Sequence, residues 1–173
     1  MVGTRVSVGQ PAAVNTHGRA TIRWTMGHAA GAHTLLVHVG RISEPLRVVA
    51  RATPAAPANL SFEHPPAQGK AGHRLGTEVV ALVTDSYGNP VPDASVSFAT
   101  RSGTISPKHA VSDAKGRLKV AWTLAAKPGE QMLTGAVRGT DVKGVLVVHA
   151  VGSGPAASVK SASKVDAGGS SRR

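Results

Sequence analysis

A chain of 173 residues with no cysteine and a formal net charge of +11 excludes a disulfide framework and a cysteine nucleophile before any pattern is read. No stretch approaches the about 18 uninterrupted apolar residues of a membrane span, and residues 1–14, MVGTRVSVGQPAAV, lack the basic start and long apolar run of a secretory signal. The positive balance raises nucleic acid or an anionic cell surface as partners, depending on how the charges are distributed.

In chain order, the first predicted element is Ala20-Thr21-Ile22-Arg23-Trp24-Thr25-Met26, where apolar residues alternate with Thr, Arg and Thr at the period of a half-buried strand. Past the Gly31 turn a second strand places Leu35, Val37 and Val39 inward. Arg47 and Arg51 mark the wet face of a third, so Val48 and Ala50 point in. TPAAP then reads as a short, proline-stiffened joint. ANLSF, TEVVALVTD and ASVSFAT are the next strands, the last two separated by DSYGNPVPDA. In that connector Asp85 and Asn89 can bond the local backbone, Gly88 permits positive φ, and Pro90 and Pro92 refuse ladder bonds. GTIS follows, then a strand with Leu118, Val120, Trp122 and Leu124 opposite Lys119 and Thr123. Two more place Leu133, Gly135 and Val137, then Leu146 and Val148, inward. About seven short strands from Pro54 to Ala150 predict an all-β unit, a β-sandwich of the immunoglobulin type.

Both tryptophans stand in the same sequence context, VNTHGRATIRWTMGHAAG and SDAKGRLKVAWTLAAKPG. Gly18 and Gly116, Trp24 and Trp122, Gly31 and Gly129, and Leu35 and Leu133 are each 98 positions apart. That period is a whole small domain and not a solenoid repeat. Aligned this way, residues 1–52 are the C-terminal half of an Ig-like repeat, truncated at its N-terminal side, and 53–150 are a complete repeat. Residues 151–173 begin like a further repeat at GPAAS and run into a basic tail too poor in apolar residues to fold. The expectation is a fragment of a longer repeat protein, or a reading frame begun at an internal Met.

VTDSYGNPVPDASVSFATRSGTIS followed by SDAKGRLKVAWTLAAKPGEQMLTGAV resembles the bacterial immunoglobulin-like repeats of group one, the invasin and intimin type of surface adhesins. The residues carrying the resemblance are Asp85, Gly88, Asn89, Pro90, Val91, Val96, Phe98, Gly103, Gly116, Trp122, Gly129 and Leu133, with Gly18, Trp24, Gly31 and Leu35 their counterparts in the first copy. The resemblance implies a stalk or spacer exposed at the cell surface or secreted. Its partners would be neighbouring Ig-like repeats of the same or a longer chain, with host or surface ligands, although nothing here resembles the terminal domain that recognises the host in such adhesins.

Other functions find less support in the residues. The charge divides as six basic against one acidic residue in 1–52, ten against seven in 53–150 and four against one in 151–173. It is dispersed over strand faces and turns with no run of three, and the few aromatics fall mostly at inward or turn positions. A single-strand binder needs exposed stacking platforms, so nucleic acid is the weaker alternative. Strand exchange between copies is another, but the tail supplies at most one strand-like segment where at least two are missing. No serine has a Gly-x-Ser-x-Gly setting, so no catalytic residue is expected. Among the eight histidines, His28, His33 and His38 tempt a metal reading. Their spacing puts His33 and His38 on opposite faces of one strand, and surface histidines are the expectation. Asp85, Asn89 and Asp93 could collect a weak calcium ion, but turn formation explains all three. No cofactor or metal is expected.

Overall fold

The computed structural model describes residues 14–39 and 44–152. Its strands are β1 (Gly31–Val37), β2 (Leu46–Ala52), β3 (Asn59–Glu63), β4 (Gln68–Lys70), β5 (Val79–Thr84), β6 (Ser95–Thr100), β7 (Thr104–Ser106), β8 (His109–Val111), β9 (Arg117–Thr123), β10 (Gly129–Val137) and β11 (Lys143–Val151), with no helix among the described residues. β1 and β2 form an antiparallel hairpin by themselves. The other nine build two sheets, ordered β4-β11-β10-β6-β8 and β3-β5-β9-β7.

Strict alternation makes the two sheets a sandwich. Leu118, Val120 and Trp122 on β9, Val79, Ala81 and Val83 on β5, Val96 and Phe98 on β6, Leu133 and Val137 on β10, and Leu146 and Val148 on β11 are all buried in one core. Residues between them on each strand face outward, as one-sided burial of an antiparallel sheet requires. Trp122 lies at the middle of this core with no exposed surface. Leu60 of β3 reaches the facing sheet where two glycines, Gly135 and Gly144, stand opposite each other on β10 and β11. A Cβ on Gly135 would lie 2.7 Å from Leu60 Cδ2, and one on Gly144 would lie 2.6 Å from the Leu60 carbonyl oxygen. The glycine pair is a socket that side chains would fill.

The 98-residue spacing of the sequence recurs in the geometry of two hairpins. β1 and β2 pair with Gly31 opposite Ala52, and β10 and β11 pair with Gly129 opposite Ala150, the same register displaced by 98 residues. The preceding turn also recurs. Asn15 Oδ1 accepts from the N–H groups of His17 (3.0 Å) and Arg19 (2.9 Å), and Asp113 Oδ1 accepts from those of Lys115 (2.8 Å) and Arg117 (2.9 Å). Gly18 (φ +73°) and Gly116 (φ +71°) close the two turns in the left-handed region that a side chain disfavours.

Several expectations do not hold. Residues 21–27 form no strand; the only pairing there is a single bridge between Val14 and Ala20. Their counterpart in the 98-residue spacing, β9, is laddered on both sides, by β5 and β7, whereas no described strand flanks residues 21–27, so alternation alone cannot form a sheet. For the same reason Val39 is exposed beyond the end of β1, Val37 is half-buried, and Val48 is 41% exposed. β4 and β8 raise the strand count of the sandwich from the expected seven to nine. His33 is buried, not superficial, and His38 lies beyond the end of β1. The expectations for residues 1–13 and for the tail from 153 onward fall outside the described residues.

Candidate functional site: a joint between the hairpin and the sandwich

The turn that follows β5 is built on one carboxylate. Asp85 is fully buried. Its Oδ1 accepts from the N–H groups of Tyr87 and Asn89, both at 2.9 Å, which folds residues 85–89 back on themselves with Gly88 at φ +81°. Its Oδ2 accepts from Asn89 Nδ2 (2.9 Å) and from the N–H of Ala55 (3.0 Å), a residue of the proline-flanked linker. Burial pushes against ionisation. The donors from the Asn89 side chain and from the Ala55, Asn89 and Tyr87 backbones outweigh it and hold the carboxyl at about 2, below its ordinary 3.8. The linker is tied a second time by the Ala58 N–H, which donates to the Thr84 carbonyl (2.8 Å).

Asn89 carries the connection on to the hairpin. Its Nδ2 donates to the carbonyl of His28 (2.8 Å), and its Oδ1 accepts from the N–H of Ala30 (2.8 Å). The carboxamide thus closes a cyclic pair with one stretch of backbone, the arrangement that two peptide groups make in a ladder. Both Nδ2 protons and the oxygen are used, one proton on Asp85 and the other on His28. Beside the clasp the rings of His28 and Tyr87 stack, with centroids 4.2 Å apart and planes 11° from parallel. From Ala55 through Asp85 and Asn89 to His28 and Ala30, both carboxylate oxygens of Asp85 and all the polar atoms of the Asn89 carboxamide have partners, and a satisfied polar network stiffens structure.

The loop gripped by Asn89 is braced from behind. His33 Nε2 donates to the Ala29 carbonyl (2.7 Å). In the corresponding loop before β10, Gln131 Nε2 donates to the carbonyls of Lys127 and Ala125, both at 3.1 Å. His33 and Gln131 are equivalent positions, and both are buried.

Of the residues singled out by sequence, Asp85, Gly88 and Asn89 meet at this joint. Pro90 makes a bridge with Thr84 beside it. Val96, Phe98, Trp122 and Leu133 meet in the sandwich core. Gly116 and Gly18 close the equivalent turns, and Gly129 and Gly31 open β10 and β1. Leu35 is buried on the hairpin, apart from the main core, and Trp24 is half-buried in the unladdered segment. Sequence reading missed that Asn89 reaches the loop before β1 and that His28, Tyr87 and Ala30 take part. The available signal was the unusual density of donors and acceptors in DSYGN.

Among the described residues no three His, Cys, Asp or Glu side chains converge on one point. Asp93 lies apart, with its backbone N–H on the Ser112 carbonyl. A shallow, open groove lined by Ala58, Asn59, Leu60, Ser61, Asp141, Val142 and Lys143 holds no convergent acid–base pair.

Residues 59–130 match the family model of the bacterial Ig-like domain (group 1). No curated protein matches the chain. Among solved structures the chain is similar to the D00-D0 domain of intimin, at 14% identity with a TM-score of 0.45, covering 62% of this chain and 56% of that one. It is also similar to the Yersinia pseudotuberculosis adhesin InvE, at 16% identity and a TM-score of 0.46, covering 70% of this chain and 40% of that one. A third is the S-layer protein SbsC, domains 4 and 5, at 15% identity and a TM-score of 0.45, covering 70% and 66%. The chain therefore spans little more than half the length of the intimin fragment.

Proposed function

We propose that this chain, whose residues 59–130 match the model of the bacterial Ig-like domain (group 1), is a non-enzymatic stalk or spacer segment of a bacterial surface or secreted protein, and that its work is to hold consecutive Ig-like units at a fixed relation. On this reading residues 1–52 are the rear half of one repeat and 53–150 a complete one, the two meeting through the turn after β5. Asp85, Gly88 and Asn89 are then the joint, and Val96, Phe98, Trp122 and Leu133 the frame that carries it. The cell surface or the extracellular space is the matching location, and neighbouring repeats are the matching partners.

The observation that carries this reading is the clasp of Asn89 on His28 and Ala30, with Asp85 holding both Asn89 and the linker. A chain whose purpose were a ligand pocket or flexible display would not need the Asn89 carboxamide bonded at both ends to the hairpin loop. A satisfied, buried carboxylate at a joint favours one orientation over many.

The test is nuclear spin relaxation on the full chain. Backbone amides of β1–β2 and of the sandwich are expected to report a common overall rotational correlation time. Hairpin amides tumbling independently of β5, β9 and β10 would overturn the fixed-joint reading.

A further inference from the structure

We infer that the Asp85–Asn89 turn is a selective docking site: it accepts a loop carrying an aromatic residue at the position of His28 and a peptide N–H two residues later, and it refuses the equivalent loop of the second repeat. The inference rests on the spacer reading and specifies its chemistry.

Each unit presents a loop just before the strand that opens its C-terminal hairpin. In the first unit it is Gly27-His28-Ala29-Ala30-Gly31; the second unit has Ala125-Ala126-Lys127-Pro128-Gly129. The two loops are built alike. Gly31 and Gly129 have φ of +119° and +122°, and each loop is braced by the buried side chain two residues further on, His33 on the Ala29 carbonyl and Gln131 on the Lys127 carbonyl. What they offer a neighbour differs.

Three contacts hold the first loop to the turn: the stack of His28 on Tyr87, the bond from Asn89 Nδ2 to the His28 carbonyl, and the bond from the Ala30 N–H to Asn89 Oδ1. At the equivalent positions the second loop has Ala126, which has no ring to stack, and Pro128, which has no N–H to donate. Only the carbonyl of residue 126 remains. Docking that loop on this turn would leave Asn89 Oδ1 facing a proline ring and Tyr87 uncovered, which loses more than the missing bonds because the carboxamide oxygen is left without a partner. A second copy of this chain therefore cannot displace residues 28–30 from the turn with its own residues 126–128. The joint is heterologous, and head-to-tail association of identical units through it is suppressed.

Proline is also a clean probe of this idea. Because Pro128 occupies the matching place in a loop of the same build, a proline at position 30 fits the loop and removes one donor. The experiment uses the full chain with His28→Ala, Ala30→Pro, the two combined, and Ala30→Gly, which keeps the N–H. The readouts are hydrogen exchange of the Asn89 carboxamide protons and the relaxation of hairpin amides against sandwich amides. The double variant is expected to speed carboxamide exchange by roughly tenfold or more, the scale of one to two net hydrogen bonds, and to give the hairpin faster tumbling than the sandwich. Ala30→Gly stays close to the parent. If Ala30→Pro loosens β1–β2 itself, seen as loss of the cross-strand contact between Ala32 and Arg51, His28→Ala alone decides, because it leaves the backbone untouched and is expected to speed the exchange by about threefold. Exchange and tumbling unchanged in the deciding variants, with the parent tumbling as one body, would overturn the selectivity while leaving the spacer reading intact. A parent whose hairpin already tumbles independently would overturn both.

Discussion

Ile105 and Trp122 are direct partners across the β7–β9 ladder, and both side chains are turned into the core of the sandwich. The indole is fully enclosed and its Nε1–H has no acceptor. Trp122→Ala should therefore cost about 3–5 kcal/mol through the void it opens, a large part of a small domain's stability. Trp122→Phe should cost clearly less, since it keeps most of the packing and removes an orphaned donor whose burial costs about 1–3 kcal/mol. Thermal denaturation of the full chain, followed by circular dichroism, checks the order. Equal losses for the two variants would show that the indole is not enclosed.

Gly18 and Gly116 give a matched pair in which strain and crowding separate. Both have positive φ, so an alanine at either place carries a left-handed penalty of about 1–2 kcal/mol. Beyond that, nothing lies within 4 Å of a Cβ on Gly18, whereas one on Gly116 would press on the Val83 carbonyl oxygen at 2.6 Å and on Pro90 Cβ at 3.1 Å. Gly116→Ala is expected to lower the denaturation midpoint of the sandwich strongly, and Gly18→Ala to leave that midpoint alone. A normal midpoint for Gly116→Ala would contradict the packing of Gly116 under the joint turn.

Acid should act on the two repeated turns differently. The Asp113 carboxyl is held below its usual range by the N–H groups of Arg117 and Lys115, against the opposing effect of burial and with help from the charges of the same two residues. A carboxylate depressed in the folded state contributes stability that is complete above its unfolded value and is lost as pH falls through the folded one. The Asp113–Arg117 turn and the Asp85 turn should both loosen as pH falls below 3.8, the joint on Asp85 losing its carboxylate as pH approaches about 2. Asn15 holds the equivalent turn without an ionisable group, so that turn should not respond in this window. Amide shifts of Lys115 and Arg117 recorded against pH, with Asp113→Asn as the insensitive control, check this. An Asp113→Asn chain whose amides still shift would remove the carboxylate as the cause.

The net positive charge makes its own prediction. A protein that neutralises several phosphates loses duplex affinity with a log–log salt slope of about 0.9 per contact. Dispersed charge gives only weak association that fades where the screening length falls to about 8 Å. Titration of the full chain against duplex and single-stranded oligonucleotides at ~150 mM salt should yield no submicromolar binding. Binding at that strength would move Arg19, Arg23, Arg41, Arg47 and Arg51 to the front as a contact surface.

The sandwich was legible wherever a strand had a neighbour on each side. Leu118, Val120 and Trp122 alternate because β9 lies between β5 and β7, and the period of two records that burial directly. The same alternation at Ile22, Trp24 and Met26 misled, since pattern reports a residue's preference and not whether partner strands are present. β4 and β8 are three residues each, too short to show a period. The joint was half legible: Asp85 and Asn89 announced a turn through their chemistry, but the contacts of Asn89 with Ala30 and His28 span 59 and 61 residues and leave no local signature. His33 looked like a surface residue until its equivalence to Gln131 gave it the same bracing task.

The glycine socket around Leu60 bears on how such a chain avoids folding wrongly. Neighbouring repeats of similar sequence invite one unit's strands to pair within another's sheet during synthesis and refolding. Gly135 and Gly144 have Val37 and Leu46 as their counterparts, directly opposite each other on β1 and β2. A strand shaped like β3 that reached the first hairpin would meet two branched side chains where Leu60 needs an empty space. Overpacking of that kind costs about 1–3 kcal/mol, and sometimes more. A β3 docked on the first hairpin is thus penalised at its first sheet-to-sheet contact, although the two hairpins share a register and a turn.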